Sequence, residues 1–286
     1  QSGGSGGCGT CGTACSGSTE VFAPGGRYTV NMGTHSEEGS CGGSGSEGYL
    51  HFNLASAADV FITTHNTIGE DTVLYVRSCC CVGDEVTSGC NDDADGLGTS
   101  MLQLTSLAAG SYYIFIDMKA MVSTSISVDV NITTPGSESD RCGRPRKIAS
   151  GTTSISDNSC GYAGDYIPYR AVGTECQYSG SGSGPDQVYY FVLTTTKSVT
   201  FDGCVTGNYD STSYVRKICG TEGSVNQPDC NDDGCSGDKA CTTTSRWRSS
   251  LTTSLGPGLY YYLQDGWDSS MSSCGCGSYT FNISGI

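Results

Sequence analysis

Two short acidic loops carry the residue types best suited to binding a cation. The first, Asn91-Asp92-Asp93-Ala94-Asp95-Gly96, places side-chain oxygens at alternating positions before a glycine turn, as in the first half of a calcium loop. The second begins Asn231-Asp232-Asp233-Gly234. The loops predict structural calcium, the one cofactor that the sequence suggests, at these residues: Asn91, Asp92, Asp93, Asp95, Asn231, Asp232, Asp233 and Asp238.

Ordinary turn chemistry is the alternative interpretation of both loops. Asp and Asn side chains hydrogen-bond to their own backbone in turns. The bidentate Glu that closes an EF-hand loop is missing from both segments. The sequence therefore leaves calcium binding and turn formation open.

Groups for acid–base or nucleophilic catalysis are scarce. The 3 histidines, His35, His51 and His65, all lie in the first half of the chain. No His-Glu-x-x-His, phosphate-loop or dinucleotide motif occurs. A Gly-x-Ser-x-Gly match at residues 3–7 lies in a glycine-rich stretch, without the strand and helix of a nucleophile elbow. The chain is predicted not to be an enzyme.

The 18 cysteines predict a disulfide-reinforced extracellular protein, because disulfides persist in oxidising compartments. Two short loops beside the acidic motifs favour local bridges, and two further pairs then follow, although sequence alone does not fix connectivity. The expected bridges are Cys79–Cys90, Cys219–Cys230, Cys15–Cys41 and Cys142–Cys176. Cys8 and Cys11 are candidates for a tether in assembly; their spacing also suits a zinc knuckle, which an even cysteine count disfavours.

An internal repeat organises the chain. The segment Asp71-Thr72-Val73-Leu74-Tyr75-Val76-Arg77 recurs as Asp210-Ser211-Thr212-Ser213-Tyr214-Val215-Arg216, roughly 140 residues later. Cys90-Asn91-Asp92-Asp93 likewise recurs as Cys230-Asn231-Asp232-Asp233. Two homologous domains therefore stand in tandem, and a Pro/Gly/Ser-rich run separates them. The predicted divisions are an arm at 1–14, domain one at 15–134, a linker at 135–141 and domain two at 142–286.

Short β-rich runs separated by Gly, Ser, Asn and Asp fill each repeat. Ile126, Val128, Val130 and Ile132 alternate with polar residues, a pattern typical of an antiparallel strand with one wet face. The expected strands of the first repeat are 49–54, 59–63, 72–77, 101–104, 111–117 and 125–132. The predicted fold is all-β, with two antiparallel sandwiches and a Gly-rich N-terminal arm.

Several motifs, taken in their order along the chain, resemble those of a known family. The motifs are Tyr-x-x-Phe-x-Leu from Tyr49, Asp-Thr-Val-Leu-Tyr-Val-Arg from Asp71, Cys-Asn-Asp-Asp from Cys90 and Ser-Leu-Ala-Ala-Gly-Ser-Tyr-Tyr from Ser106. In this order they look like the bacterial pre-peptidase C-terminal domain. The second repeat resembles it through the corresponding segments. The resemblance implies a jelly-roll-like sandwich, often non-catalytic and sometimes binding calcium or a polymer. That module usually follows a catalytic domain, and none is visible in this sequence.

Charge excludes two classes of partner. The formal net charge is -15, which repels phosphate backbones and anionic lipid headgroups. The longest apolar stretches, such as residues 112–116, have only the length of a strand. We expect neither nucleic-acid binding nor membrane insertion.

Two glycosylation sequons occupy corresponding places, Asn131-Ile132-Thr133 and Asn282-Ile283-Ser284. Each lies in the last strand of its repeat, where alternation places the Asn on the wet face. Both asparagines are predicted to be accessible to glycosylation.

The favoured function is a secreted structural subunit that assembles head-to-tail with copies of itself into a filament or surface layer. A small-residue arm suits docking against a neighbour's sheet edge through main-chain hydrogen bonds, and a contact that does not close into a ring propagates as a fibre. The alternative is a module that binds carbohydrate or protein polymers through exposed aromatic residues, with Trp247, Trp267 and Tyr162 as candidates.

Overall fold

The computed structural model describes residues 15, 17–34, 37–79, 83–120, 125–169, 176, 184–207, 210–235, 248–267 and 275–286. These residues form strands, turns and irregular segments without an α-helix, which confirms the all-β prediction. The chain divides into two compact units, Gln1–Pro135 and Gly136–Ile286. Within the described ranges, no helix is long and apolar enough to cross a membrane.

Unit 1 consists of two sheets with a shared core. Its strands are β1 (Thr19–Val21), β2 (Gly25–Asn31), β3 (Glu47–Leu54), β4 (Ala58–Thr63), β5 (Thr72–Arg77), β6 (Glu85–Asn91), β7 (Met101–Leu107), β8 (Gly110–Met118) and β9 (Ser125–Thr133). The sheet orders are β1-β3-β8-β5-β6 and β2-β9-β4-β7. Pairing is antiparallel, as predicted, except between the short edge strand β1 and β3, which are parallel.

Alternation along the strands builds the core of unit 1. Ile126, Val128, Val130 and Ile132 on β9 are buried in one cluster with residues of both sheets, as their period of two predicts. The opposite side of β9 is not wet, however. Asp129 and Asn131 are 1% and 2% exposed, so this strand is buried on both faces over much of its length.

Unit 2 repeats the arrangement. Its strands are β10 (Arg146–Lys147), β11 (Ser154–Asn158), β12 (Gln187–Leu193), β13 (Lys197–Gly207), β14 (Ser211–Arg216), β15 (Asp229–Asn231), β16 (Ser250–Leu255), β17 (Gly258–Gly266) and β18 (Ser278–Ser284). The sheet orders are β10-β12-β17-β14-β15 and β11-β18-β13-β16. The pair β10–β12 is parallel, like β1–β3. An aromatic core that includes Tyr189, Phe201, Tyr262 and Phe281 lies between the sheets.

The segment predicted as a linker, 135–141, is largely part of unit 2. Ser139 is 1% exposed; its backbone N donates to Arg144 O at 2.9 Å, and its O accepts from Val188 N at 2.7 Å. Asp140 is also buried. The predicted arm, 1–14, lies outside the described residues.

A second, smaller cluster lies on the outer face of the β3–β8–β5 sheet. Tyr75 and Phe115 are buried there together with Cys15 and Val73. Residues 37–46 cover this face and are attached to β6 by the Cys41–Cys90 disulfide. A Cβ on Gly39 would lie 2.6 Å from the Tyr75 ring. Only glycine therefore allows the 37–46 segment to pack this closely against Tyr75.

Disulfide connectivity differs from the prediction. The described bridges are Cys41–Cys90, Cys142–Cys219, Cys160–Cys276, Cys176–Cys230 and Cys204–Cys235. Cys15 and Cys79 are also disulfide-bonded. The expected pairs Cys79–Cys90, Cys219–Cys230, Cys15–Cys41 and Cys142–Cys176 are therefore wrong, because loop length was the criterion and the bridges instead tie covering segments to the sheet. The five bridges between described residues indicate an extracellular protein.

Candidate cation-binding sites

A triad of carboxylates lies at one end of the β5–β6 hairpin in unit 1. Asp71 immediately precedes β5, whereas Asp92 and Asp93 immediately follow β6. The two strands are antiparallel, with Leu74 opposite Asn91, so the start of one lies beside the end of the other. One carboxylate oxygen from each of the three residues lies within 4.8 Å of the others, a spacing at which one hard cation contacts all three.

Unit 2 contains the same triad at the corresponding end of β14 and β15. Asp210 precedes β14, and Asp232 and Asp233 follow β15; their oxygens also lie within 4.8 Å of one another. Asp210 and Asp232 are buried, and Asp232 Oδ1 accepts a hydrogen bond from Thr212 Oγ1 at 2.9 Å. Four of the six predicted aspartates thus lie in the triads, two in each, and the structure adds Asp71 and Asp210, which sequence reasoning missed as ligands.

Electrostatics distinguish the two triads. In unit 1, partial desolvation raises the pKa of Asp71, the charges of Asp93 and Asp92 raise it further, and Lys119 lowers it. The Lys119 ammonium forms an ion pair with Asp92 Oδ2. In unit 2 the residue in the place of Lys119 is Trp267, since Lys119 N donates to Asp71 O and Trp267 N donates to Asp210 O. At this one position the second triad therefore has a neutral residue where the first has a cation.

The two asparagines of the motifs, Asn91 and Asn231, accept backbone hydrogen bonds that stabilise the loops. Asn91 Oδ1 accepts from Met101 N at 2.9 Å, which fastens the loop to β7. Asn231 Oδ1 accepts from both Gly234 N and Ser250 N, at 2.8 and 2.9 Å. These two donors use both lone pairs of Asn231 Oδ1, so turn chemistry, the alternative interpretation, accounts for this residue.

Asp95 does not join the triad. Its Oδ2 lies 3.4 Å from Nε2 of His65, a completely buried side chain whose Nδ1 is 2.7 Å from Thr63 Oγ1. The chain turns at Asp95 with a φ of 62°, and Asp95 is not among the three residues whose oxygens lie within 4.8 Å of one another. Asp238, the remaining predicted ligand, lies outside the described residues.

A second acidic feature was not found from the sequence. Glu47 on β3 and Asp117 on β8 are directly opposite each other, and both are buried, at 1% and 0% exposure. Glu47 accepts from Tyr49 OH at 2.5 Å and from Tyr75 OH at 3.1 Å. Desolvation and the charge of Glu47 raise the pKa of Asp117 to about 7, although backbone donors from Met118 and Gly45 lower it.

Unit 2 has the equivalent pair, Asp186 and Asp265, both with 0% exposure. Desolvation raises the pKa of each well above its ordinary value, and their mutual charge contributes to Asp265. One oxygen of each, and Oδ2 of Asp117 in unit 1, receives no hydrogen bond within the described part of the chain. Buried carboxyl pairs of this kind require a proton or a cation as counter-charge.

The remaining predicted site residues differ in their exposure to solvent. Asn282 is exposed on β18, whereas Asn131 is buried, so the prediction that both sequons are accessible is wrong for Asn131. Trp267 and Tyr162 are half-buried. Cys8, Cys11, Trp247 and His35 lie outside the described residues.

A serine–histidine contact between described residues lies on the surface of unit 1. Ser18 Oγ lies 3.0 Å from His51 Nδ1, and His51 Nε2 lies 4.0 Å from Glu20 Oε2. The second distance exceeds a hydrogen bond, so the three residues do not form the relay of a hydrolase triad.

Comparisons with known proteins do not identify the chain. No family matches it, and no curated protein matches it. Among solved structures, a protein of Eubacterium rectale named as secreted is 11% identical over 88% of this chain and 81% of its own, with a TM-score of 0.24. A Paenibacillus xanthan lyase is 12% identical over 90% of this chain and 25% of its own (TM-score 0.21), and the plant receptor-like kinase FER is 9% identical over 92% and 90% (TM-score 0.21). Likenesses at these scores carry no argument about function.

Proposed function

We propose that the chain is a non-catalytic structural subunit of an extracellular filament or surface layer. The observation that carries the proposal is that features which reinforce the fold occur in both units. Both units contain the carboxylate triad, and the bridge Cys41–Cys90 has its counterpart in Cys176–Cys230. The histidines, by contrast, lie only in the first half of the chain. A load-bearing rod needs every segment to resist unfolding, whereas an enzyme needs one site.

Structural calcium at the two triads is part of this proposal. The donor set fits, because three carboxylates within 4.8 Å match the oxygen ligands that calcium prefers. In unit 1 Oδ1 of Asp92 is buried and accepts no hydrogen bond from the described residues. A cation would neutralise the triad and join the segment before β5 to the segment after β6. Asp71, Asp92 and Asp93 would hold it in unit 1, and Asp210, Asp232 and Asp233 in unit 2.

Assembly through the N-terminal arm is the second part. Residues 1–14 are almost all Gly, Ser, Thr and Cys, so they can lie along a neighbour's sheet edge with little steric hindrance. Among the described strands, β2 and β7 in unit 1 and β11 and β16 in unit 2 lie at the ends of their sheets, and the arm would pair with one of these edges. Cys8 and Cys11 would then tether the arm, and copies would join head-to-tail.

The exposed surface favours this function over polymer binding. Of the described large apolar side chains, the exposed ones are Phe22, Ile68, Ile167, Val205 and Val225. Only one is aromatic, and a carbohydrate or peptide platform uses several aromatic rings together. Trp267 and Tyr162 do not supply such a platform, because both are half-buried.

Electron microscopy of the natively sourced protein tests the function. Fibres or sheets in non-reducing buffer support a structural subunit. A chain that lacks residues 1–14 should fold, as judged by its circular dichroism and thermal transition, but should not assemble. Assembly that is undiminished by the deletion would eliminate the arm mechanism, and dispersed particles of the full chain would favour the polymer-binding alternative.

A further inference from the structure

The outer face of the β11–β18–β13–β16 sheet in unit 2 is covered with hydroxyl groups. Inward residues such as Ile155, Phe281, Val199 and Leu251 are buried, and the residues between them point outward. We call the outward set the hydroxyl face; it comprises Ser154, Ser156, Asn158, Ser278, Thr280, Asn282, Ser284, Ser198, Thr200, Asp202, Ser250, Thr252 and Ser254.

Hydrogen bonds between side chains join neighbouring strands across this face. Ser156 Oγ lies 2.7 Å from Thr280 Oγ1, and Thr200 Oγ1 lies 3.0 Å from Thr252 Oγ1. Asp202 is the single charged member, and its Oδ1 accepts from Cys204 N at 3.0 Å. A chain with a net charge of -15 thus has a nearly neutral, short-side-chain face of four strands.

Asn282 lies at the centre of the hydroxyl face. Its strand, β18, lies between β11 and β13, and Asn282 is opposite Ser154 on one side and Asp202 on the other. Asn282 is exposed between the buried Phe281 and Ile283. Ser284, which completes the sequon, is also exposed. Small neighbours leave the space around the Asn282 amide open to a bulky attached group.

The corresponding asparagine of unit 1 has the opposite environment. Asn131 on β9 is 2% exposed and is opposite Phe61, which is 0% exposed. Two residues before it, Asp129 is buried and held by Arg27 Nε and Nη2 at 2.7 and 2.9 Å. A sugar on Asn131 would place a hydrated group among buried, packed side chains, which is energetically unfavourable.

We propose that Asn282 carries an N-linked glycan, that the hydroxyl face is the surface that accommodates it, and that Asn131 remains unmodified. Attachment forms a bond from Asn282 Nδ2 to C1 of the first sugar and breaks the bond from C1 to the pyrophosphate of a lipid-linked oligosaccharide. The pyrophosphate leaves with the electron pair, and Nδ2 loses one proton to a base of the transferase. The glycan supplies a hydrated cover to a face that lacks the charges usual on exposed sheets.

Site mapping of the natively sourced chain tests this proposal, with Asn131 as an internal control. Peptide:N-glycosidase in ¹⁸O-water converts a glycosylated Asn into ¹⁸O-labelled Asp, which peptide mass spectrometry detects. We expect the label at residue 282 and not at residue 131. An unlabelled residue 282, or equal labelling at both positions, would overturn the proposal.

Two sequon variants made in the source organism provide a second, independent readout. Ser284→Ala removes the hydroxyl of the sequon and leaves Asn282 in place, so the intact mass should fall by one glycan beyond the substitution itself. Thr133→Ala should change the mass by the substitution alone. Loss of a glycan mass in Thr133→Ala would contradict the assignment. The assembly proposed above does not depend on either result.

Discussion

Asp210 and Asp232 approach each other because β14 begins where β15 ends. Their oxygens, with one from Asp233, lie within 4.8 Å of one another, and the side chains of Asp210 and Asp232 are buried at 3% and 1% exposure. Like charges at this separation in a desolvated site destabilise the fold unless a cation or a proton neutralises them.

Calcium should therefore stabilise the protein. A ligand at a concentration 100-fold above its Kd stabilises the folded state by about 2.7 kcal/mol, which for domains of this size corresponds to a rise in Tm of roughly 5–10 °C. We expect this rise between excess chelator and saturating calcium, and its loss for unit 2 in Asp232→Asn. Glu222→Gln, an exposed substitution, is the matched control. An identical Tm with and without calcium would remove the calcium assignment.

Lys119 should weaken cation binding in unit 1. Its ammonium already neutralises Asp92, so the cation must displace it. Lys119→Met should raise the calcium affinity of unit 1 by roughly tenfold, as measured by isothermal titration calorimetry. Lys147→Met, a substitution in unit 2, should leave the titration unchanged. A weaker affinity in Lys119→Met would show that Lys119 supports the site.

Stability in the absence of divalent cations should fall as pH rises. The pKa of Asp117 is raised from 3.8 to about 7, so the folded state binds this proton more tightly than the unfolded chain does. The resulting stabilisation is complete below about pH 4 and is lost as pH passes through about 7. In excess chelator we expect a lower Tm at pH 8 than at pH 5.5.

Asp117→Asn isolates this effect, because the amide is neutral at every pH. Relative to the unmodified chain, the variant should gain about 1–3 kcal/mol in free energy of unfolding between pH 5.5 and 8, within the limit of 1.36 kcal/mol per pKa unit. Asp84→Asn, at an exposed position, should gain nothing. A constant difference between Asp117→Asn and the unmodified chain across this range would refute the shifted pKa.

Strands were predictable because their signal is local. The period of two on β9, from Ile126 to Ile132, depends only on which side chains must leave water. Disulfide pairing was not predictable, since both Cys79 and Cys41 lie at sequence distances from Cys90 that permit a bridge. Only the fold determines that the segment with Cys41 lies over β6. The same limitation applies to Asn131, whose strand pattern indicates a wet face that the structure covers.

The two triads were predicted only in part, and the reason is again that the sequence does not reveal strand register. Asp92 and Asp93 stand in an evident acidic motif, whereas Asp71 is a single aspartate before an apolar strand. Only the β5–β6 register brings Asp71 to the motif. The pair Glu47 and Asp117 likewise requires the β3–β8 register, because the two residues are far apart in sequence.

Electron microscopy of the natively sourced protein, imaged without reducing agent, tests the proposed structural function most directly. The account predicts regular fibres or sheets built from repeated copies of the chain. Deletion of residues 1–14 should convert them into dispersed, folded monomers. Isolated particles of 29.6 kDa from the intact chain, at concentrations found in the source, would contradict the assignment of the protein as a structural subunit.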